Sequence, residues 1–183
     1  DLACATNAFT SFLLIDRLSH QGGLSGTATA IQTTNLPTAA LPRYTDGVGV
    51  MAALEIYTAL GTLAQTATVS YTNEAGTSGR TTKAVSIGGT NNREGERMLP
   101  LPLQDGDTGV QAVASVTLAA STLTAGDFGI TIAKPIGIGI ISGVALGYWR
   151  DYVAGLPGLP KVDIDACLSL AFFSNSTSAP QLM

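Results

Sequence analysis

Short runs of alternating apolar and polar residues fill much of the chain and predict β-strands. The stretch at 68–87, TVSYTNEAGTSGRTTKAVSI, places two runs rich in Thr, Val, Tyr and Ile around a polar centre, which predicts a β-hairpin with a long loop. In GVGVMAALEIYTALG at 47–61, an extended chain directs Glu55 and Tyr57 to the side opposite the aliphatic residues. This strand and the hairpin together predict a three-stranded meander over 50–87.

Further strand patterns follow one another at short intervals, separated by turn signals rich in Gly, Pro, Asn and Asp. Strands are predicted within 26–34, 110–122, 124–133, 136–149 and 161–174, and breaks at 35–43, 88–97, 105–109 and 156–160. Many short strands without strand–helix alternation predict an antiparallel β-sandwich or a jelly-roll-like barrel.

The best helix candidate is NAFTSFLLIDRLSH at 7–20. Asn7 or Thr10 could cap its start, and the Gly22-Gly23 pair would end it. The alternative interpretation is an extended arm. The predicted division of the chain is an N-terminal arm or helix over 1–25, a β-sandwich domain over 26–174 and a flexible tail over 175–183.

The number of charged residues is the most informative feature of the composition. Only 12% of the 183 residues are charged, against about 25% in ordinary soluble domains. The surface must therefore present uncharged residues to water or be covered by partner chains. The net charge of −4 and the scattering of only 9 Lys and Arg residues argue against a basic surface for nucleic acid.

Two further features bear on the environment of the protein. The apolar segment at 136–149 has 14 residues, whereas a membrane-spanning helix needs about 20, and its Gly–Ile alternation favours a strand. The two cysteines, Cys4 and Cys167, could form a disulfide that closes most of the chain into a loop, or could be free, buried thiols.

No group of residues predicts catalysis, and we expect no enzyme activity, cofactor or metal site. His20 is the single histidine, and its position suits the end of a helix. DGDTG at 105–109 resembles the start of a calcium loop, but Val116 stands where an EF-hand needs Glu, so a hairpin turn is expected. Asp163 and Asp165 would share one face of a strand and could form an acid–base pair or a solvated edge.

Aromatic residues and arginines give the sharpest local candidates for an interface, because Trp, Tyr and Arg often anchor protein–protein contacts. One cluster is YWRDY at 148–152, and a smaller one is RYTD at 43–46. The apolar N-terminal stretch is a candidate contact arm. The predicted interface residues are Tyr148, Trp149, Arg150, Tyr152, Arg43, Tyr44, Phe9, Phe12 and Leu13.

Several stretches resemble structural virion proteins of tailed bacteriophages. They are LIDRLSHQGGLSG at 14–26, LPRYTDGVGVMAALEIYTALG at 41–61, TATVSYTNEAGTSGRTT at 66–82 and LPLQDGDTGVQAVASVTLAAST at 101–122. The resemblance covers most of residues 14–133 and contains no catalytic motif. It implies a capsid decoration or cement protein, or a head or tail accessory protein, of a class that is commonly β-rich and often trimeric.

This resemblance implies a protein of the capsid surface, assembled in the host cytoplasm, that binds across neighbouring major capsid subunits and stabilises the DNA-filled head. Its expected partners are the major capsid protein and further copies of itself, as a homotrimer or a dimer, with no sequence-specific nucleic acid and no membrane. Two alternatives stay open. One is a fibre or adhesin-like carbohydrate-binding module that uses Tyr148 and Trp149, and the other is a polysaccharide-degrading enzyme that uses Asp163, Asp165 or Glu55.

Overall fold

The described residues of the chain, seen in a computed structural model, are 2–5, 10–141, 147–150 and 162–174. Strands account for the regular structure of these ranges. They are β1 (Leu2–Ala5), β2 (Thr10–Leu24), β3 (Gln32–Leu36), β4 (Met51–Thr58), β5 (Gln65–Asn73), β6 (Arg80–Thr81), β7 (Val85–Ile87), β8 (Arg97–Pro100), β9 (Val110–Leu118), β10 (Asp127–Ile141), β11 (Gly147–Arg150) and β12 (Leu168–Ser174).

The strands form antiparallel sheets, which confirms the predicted all-β, sandwich-like fold class. One sheet has the strand order β12-β2-β10-β4-β8, and a second has the order β3-β9-β5-β6, with β7 also paired to β5. A separate two-stranded sheet joins β1 to β11. No helix occurs in the part of the chain that the structure describes.

The chain divides into two compact units. One contains residues 18–134, and the other contains residues 1–17 and 135–183. The long strands β2 and β10 each contribute residues to both units. This division differs from the boundary expected after residue 25, because residues 18–25 belong to the larger unit. The tail predicted over 175–183 lies outside the described residues.

The larger unit holds the main hydrophobic core. Inward side chains alternate with outward ones, so that Val69 and Tyr71 of β5 face the same core as Leu54 and Ile56 of β4. All four are at most 1% exposed. Burial of each large aliphatic or aromatic side chain contributes roughly 1.5–3 kcal/mol relative to exposure. This core, between segments of the two sheets, is what the alternating sequence pattern predicts.

The smaller unit packs aromatic rings against glycine. Phe12 on β2 is 1% exposed, and its ring centroid lies 6.2 Å from that of Phe172 on β12. A Cβ atom added to Gly139 would lie 2.2 Å from Cζ of Phe12. The Gly–Ile alternation of β10 therefore leaves space for the Phe12 ring. Further along β2, the buried Asp16 accepts a hydrogen bond from the backbone N–H of Cys167 at 2.8 Å.

The predicted helix at 7–20 is wrong, because residues 10–24 form strand β2. The apolar run FLLI suits a helix face, but it also suits a strand that is covered on both sides. Leu14 and Ile15, on opposite faces of the strand, are 3% and 0% exposed. A strand buried on both faces loses the alternation by which a half-exposed strand is identified.

The predicted meander over 50–87 is also wrong, although its strands exist. β4 pairs with β10 and β8, whereas β5 pairs with β9, β6 and β7 in the other sheet. The connection between β4 and β5 contains Gly61, where an added Cβ would lie 1.5 Å from the carbonyl oxygen of Thr122. The chain thus crosses between sheets at a point where only glycine fits.

The strand predicted within 26–34 begins later, at Gln32. The preceding residues form a loop held by backbone contacts. Gly26 donates its N–H to the carbonyl of Ala125 at 2.6 Å and accepts from the N–H of Thr122 at 2.9 Å. The alternating small and polar residues that follow Gly26 therefore belong to a mostly exposed loop and not to a β-ladder.

Cys167 is a free and exposed cysteine, so the disulfide alternative and the buried-thiol alternative are both wrong for this residue. Among the residues described, none belongs to a helix with the length and hydropathy needed to cross a membrane.

We predict that Gly61→Ala destabilises the protein by about 1–3 kcal/mol or more, because the new methyl group overlaps the Thr122 carbonyl and the backbone must shift. Urea unfolding followed by circular dichroism measures the loss. The matched control is Gly22→Ala, whose added Cβ would meet only Cε2 of Tyr57, at 3.4 Å. Equal midpoints for the two variants would show that the close approach at Gly61 is not a constraint.

Candidate functional site

Three residues of the predicted interface cluster at 148–152 lie on a small two-stranded sheet. Tyr148, Trp149 and Arg150 belong to β11, whose register places Trp149 opposite Ala3 and Tyr148 opposite Cys4. Their side chains, and Tyr152 and Phe9, lie outside what the structure describes. These five residues remain predicted interface residues.

The second predicted cluster, Arg43 and Tyr44, is half-buried at the rim of the core of the larger unit. Tyr44 adopts a left-handed backbone with φ of 50°, and Nζ of Lys134 lies 5.3 Å from the centre of its ring. The same ammonium group donates to the carbonyl of Val48 at 2.6 Å. Lys134 therefore fixes this loop through a cation–π contact and a hydrogen bond.

Phe12 and Leu13 differ from their predicted role as arm residues. Phe12 is buried in the smaller unit, so its ring is part of a core and does not present an interface. Leu13, half-buried, stands opposite Ala171 in the β2–β12 ladder. The apolar N-terminal stretch was expected to contact other subunits, but from residue 10 onwards it supplies a central strand.

Large aliphatic side chains are exposed in both units. In the smaller unit, Ile138 and Ile140 on β10 are 57% and 66% exposed, and Ile164 is 98% exposed. In the larger unit the exposed residues are Ile31, Val48, Leu63 and Leu123. Single exposed aliphatic residues are common on soluble proteins, but Ile138 and Ile140 are two residues apart on one strand and therefore share one of its faces.

The single histidine lies in a polar cluster on β2, β4 and β10 and not at a helix end. Thr131 Oγ1 donates to Glu55 Oε2 at 2.7 Å and lies 3.1 Å from His20 Nδ1. Tyr57 Oη lies 3.2 Å from His20 Nε2, and the two rings meet edge to face with centroids 5.7 Å apart. His20 Nδ1 is also 3.8 Å from Glu55 Oε2.

The hydrogen-bond donors and acceptors in this cluster can be assigned from the Thr131 hydroxyl outwards. Because the Thr131 hydroxyl donates to Glu55, its oxygen is left to accept from His20, so the imidazole carries its proton on Nδ1. The Tyr57 hydroxyl lies 3.2 Å from Nε2 and 3.3 Å from Nδ1, and in this tautomer the unprotonated Nε2 is the nitrogen that can accept from it. The geometry is that of a hydrogen-bonded relay ending at a carboxylate.

The relay does not present a nucleophile. Thr131 is 1% exposed, so its hydroxyl cannot meet a substrate in this conformation. The side chains of the relay link strands β2, β4 and β10. The Tyr57 hydroxyl lies over Gly129, where an added Cβ would be only 2.6 Å from it. His20 and Glu55 each stand out in the sequence, but Thr131 does not, because a lone Thr in an apolar strand carries no signal of its own.

A second polar cluster surrounds Asp107 in the predicted DGDTG turn. Arg80 forms a two-pronged ion pair with it, Nε to Oδ2 at 2.9 Å and Nη2 to Oδ1 at 3.0 Å. Asn73 donates to Oδ1 at 2.8 Å, and the Tyr71 hydroxyl donates to Oδ2. These contacts lower the pKa of Asp107 from 3.8 to about 2, with Arg80 as the largest cause and Tyr71 and Asn73 next.

The same turn is held from a second side by the hairpin loop. Glu74 Oε2 accepts the backbone N–H groups of Thr108 and Gly109, each at 3.1 Å. The pKa of Glu74 is lowered, first by a hydrogen bond from its own backbone N–H and then by those two groups. The hairpin at 68–87 thus has a structural use, because the two charged residues near its tip, Glu74 and Arg80, fix the neighbouring turn.

The predicted strand through Asp163 and Asp165 is wrong, and of the alternatives for these two residues the solvated one agrees with the structure, because both are exposed. Both precede β12 and lie in a turn, in which Asp163 Oδ1 accepts the backbone N–H of Asp165 at 3.0 Å and the carbonyl of Asp163 accepts from Ala166 at 3.1 Å. The carboxylate of Asp163 therefore caps a turn. Glu55, the third carboxylate considered for catalysis, belongs to the other compact unit.

Within the described ranges, no three His, Cys, Asp or Glu side chains converge as a metal site would require. Comparison of the chain with models of known protein families, with curated proteins and with solved structures finds no match.

We predict that neutral His20 is protonated on Nδ1 and that Thr131→Val shifts the proton to Nε2, because the acceptor for Nδ1–H is removed. Long-range ¹H–¹⁵N correlation spectra at about pH 8.5 distinguish the two tautomers. Thr117→Val on β9 is the control and leaves the tautomer unchanged. Protonation on Nε2 in the unsubstituted protein would contradict the assigned hydrogen-bond direction.

We predict that Asp107→Asn lowers stability at pH 7 and that this difference from the unsubstituted protein narrows as the pH falls. The folded pKa of about 2 lies below the unfolded value near 3.9, so the ionised Asp107 stabilises the fold above about pH 4 and loses that effect towards pH 2. Urea unfolding midpoints of the two proteins at pH 7, 4 and 2.5 measure this difference in stability.

Asp105→Asn is the matched control for this substitution. The Asp105 side chain is 92% exposed and pairs with the exposed Lys83, so it contributes little to stability at any pH. Equal losses for Asp105→Asn and Asp107→Asn, or a loss at Asp107 that does not change with pH, would contradict the assignment.

Proposed function

We propose that this chain is a structural virion protein, a capsid decoration or cement protein that binds across neighbouring major capsid subunits and stabilises the DNA-filled head. The observation that carries the proposal is a surface with few charges and several large exposed aliphatic side chains, among them Ile138, Ile140 and Ile164. Contact with other polypeptides would remove these side chains from water, and the buried apolar area would stabilise the contact by roughly 25 cal/mol per Å².

The loops that Asp107 and Glu74 hold in place support the same role. A protein that bridges capsid subunits must keep its contact surface in one shape while the shell is under internal pressure. The Asp107 cluster connects the β5–β6 hairpin to the turn before β9, and Glu74 adds two further hydrogen bonds to that turn. Contacts of this kind rigidify loops that would otherwise move freely.

Multiple copies would make weak contacts sufficient. Among the described residues the exposed aliphatic side chains are distributed over both units, and the net charge of the chain is only −4. In a shell with repeated binding positions, several such contacts per assembly combine through effective concentration. The resemblance of most of residues 14–133 to the sequences of virion proteins supports a capsid shell as the partner.

The test compares particles assembled with and without this chain, followed by addition of the purified chain to the deficient particles. We expect deficient particles to release DNA at lower temperature and under milder osmotic shock, and added chain to restore resistance. An unrelated β-sandwich protein at equal concentration is the control. Equal resistance of both particles would refute the cementing role, and specific binding on a glycan array would favour the carbohydrate-binding alternative.

A further inference from the structure

Most edge strands of the two large sheets carry features that prevent pairing with another strand. β8 has four residues, begins at Arg97 and ends at Pro100. β3 has a register shift in its pairing with β9 and is followed directly by Pro37. β6 and β7, beside β5, have two and three residues. Short strands, irregular register, charge and proline are the features by which proteins prevent edge-to-edge association.

Strand β12 has none of these features. It runs for seven residues, LSLAFFS, without a charge or a proline, and pairs with β2 in continuous register from Leu168 opposite Asp16 to Ser174 opposite Thr10. Over the described ranges, the strand order of its sheet ends at β12. This is the one sheet edge in those ranges that is long, regular and uncharged.

The β2–β12 ladder determines which backbone groups of β12 point away from β2. The N–H of Arg17 donates to the carbonyl of Cys167 at 2.8 Å, and in an antiparallel pair hydrogen-bonded and non-hydrogen-bonded residues alternate. Ser169 and Ala171 therefore direct their backbone groups towards β2. Leu168, Leu170 and Phe172 direct theirs to the opposite side, where another extended strand could accept and donate.

We propose that β12 pairs antiparallel with β12 of a second copy of this chain, about a two-fold axis at Ala171. This inference rests on the proposed function in taking assembly to be the role of the chain. The register places Leu170 opposite Phe172 and Leu168 opposite Ser174 of the second copy, and about eight backbone hydrogen bonds would form. Ala171 meets its own copy at the close, non-hydrogen-bonded position, where a small side chain fits.

A second copy suits this edge because the strand is complementary to itself. None of the 22 charged residues of the chain, 9 basic and 13 acidic, lies on it, so the two-fold brings no like charges together. Apolar residues stand opposite apolar or hydroxyl residues throughout. A two-fold interface of this kind is closed and gives a dimer or an even-numbered assembly, whereas the resemblance to virion proteins suggested a trimer.

The decisive test is a cross-link at the axis. In the full chain with Cys4→Ser and Cys167→Ser, Ala171→Cys is oxidised mildly in dilute solution. The proposal places the two Cα atoms about 4.5 Å apart, within the range that a disulfide spans, so a covalent dimer forms in high yield. Thr33→Cys on the edge strand β3 is the matched control and stays monomeric. Equal yields for both variants, or none for Ala171→Cys, would overturn the proposal.

A charge at the same edge separates this inference from the proposed function. Native mass measurement of Ala171→Lys is expected to show monomer where the unsubstituted chain is a dimer, because the two-fold places the two ammonium groups opposite each other, with Thr33→Lys unchanged. A trimer, or a dimer that Ala171→Lys leaves intact, would overturn β12 pairing without bearing on capsid binding. Conversely, dimers that cross-link at Ala171 yet fail to bind capsid shells would support the pairing and refute the cementing role.

Discussion

Burial of inward side chains between two antiparallel sheets is the interaction on which the rest of this structure depends. Strands β4, β5, β9 and β10 each present alternate residues to one core, and the largest of these, such as Tyr71 and Phe128, are at most 1% exposed. The alternation leaves the opposite face of each strand for polar clusters and for partners. The two polar clusters and the loops of the larger unit are positioned by this core.

The polar clusters show how a chain with few charges uses those it has. Asp107 gathers Arg80, Tyr71 and Asn73, and the relay from Tyr57 to Glu55 runs through His20 and Thr131. Burial and the hydrogen bond to Asp107 raise the pKa of Tyr71, so this tyrosine stays neutral and remains a donor. In both clusters the ionised groups are held by hydrogen bonds from neighbouring elements of the larger unit.

Sequence reasoning succeeded where one physical signal dominated. The 68–87 hairpin, the strands at 51–58 and 110–118 and the DGDTG turn all follow from alternation and turn chemistry. It failed where tertiary burial overrode the local signal. β2 is covered on both faces and therefore resembled a helix, and Gly61 gave no indication that the chain changes sheets there. The polar clusters were out of reach, because Asp107 and Arg80 are 27 residues apart and Thr131 and Glu55 are 76 apart.

The way in which Glu74 and Asp107 hold the turn before β9 has a consequence for ionic strength. Glu74 bonds two backbone N–H groups, which dissolved ions do not replace readily, and the Asp107 side chain is 5% exposed, so its pairing with Arg80 is poorly screened. Exposed ion pairs such as Lys83–Asp105 weaken in concentrated salt. The contacts of Glu74 and Asp107 should keep their strength and hold the turn in place. The loop surface would therefore have the same shape in dilute buffer and in brine, so any partner that recognises it would meet one conformation in both.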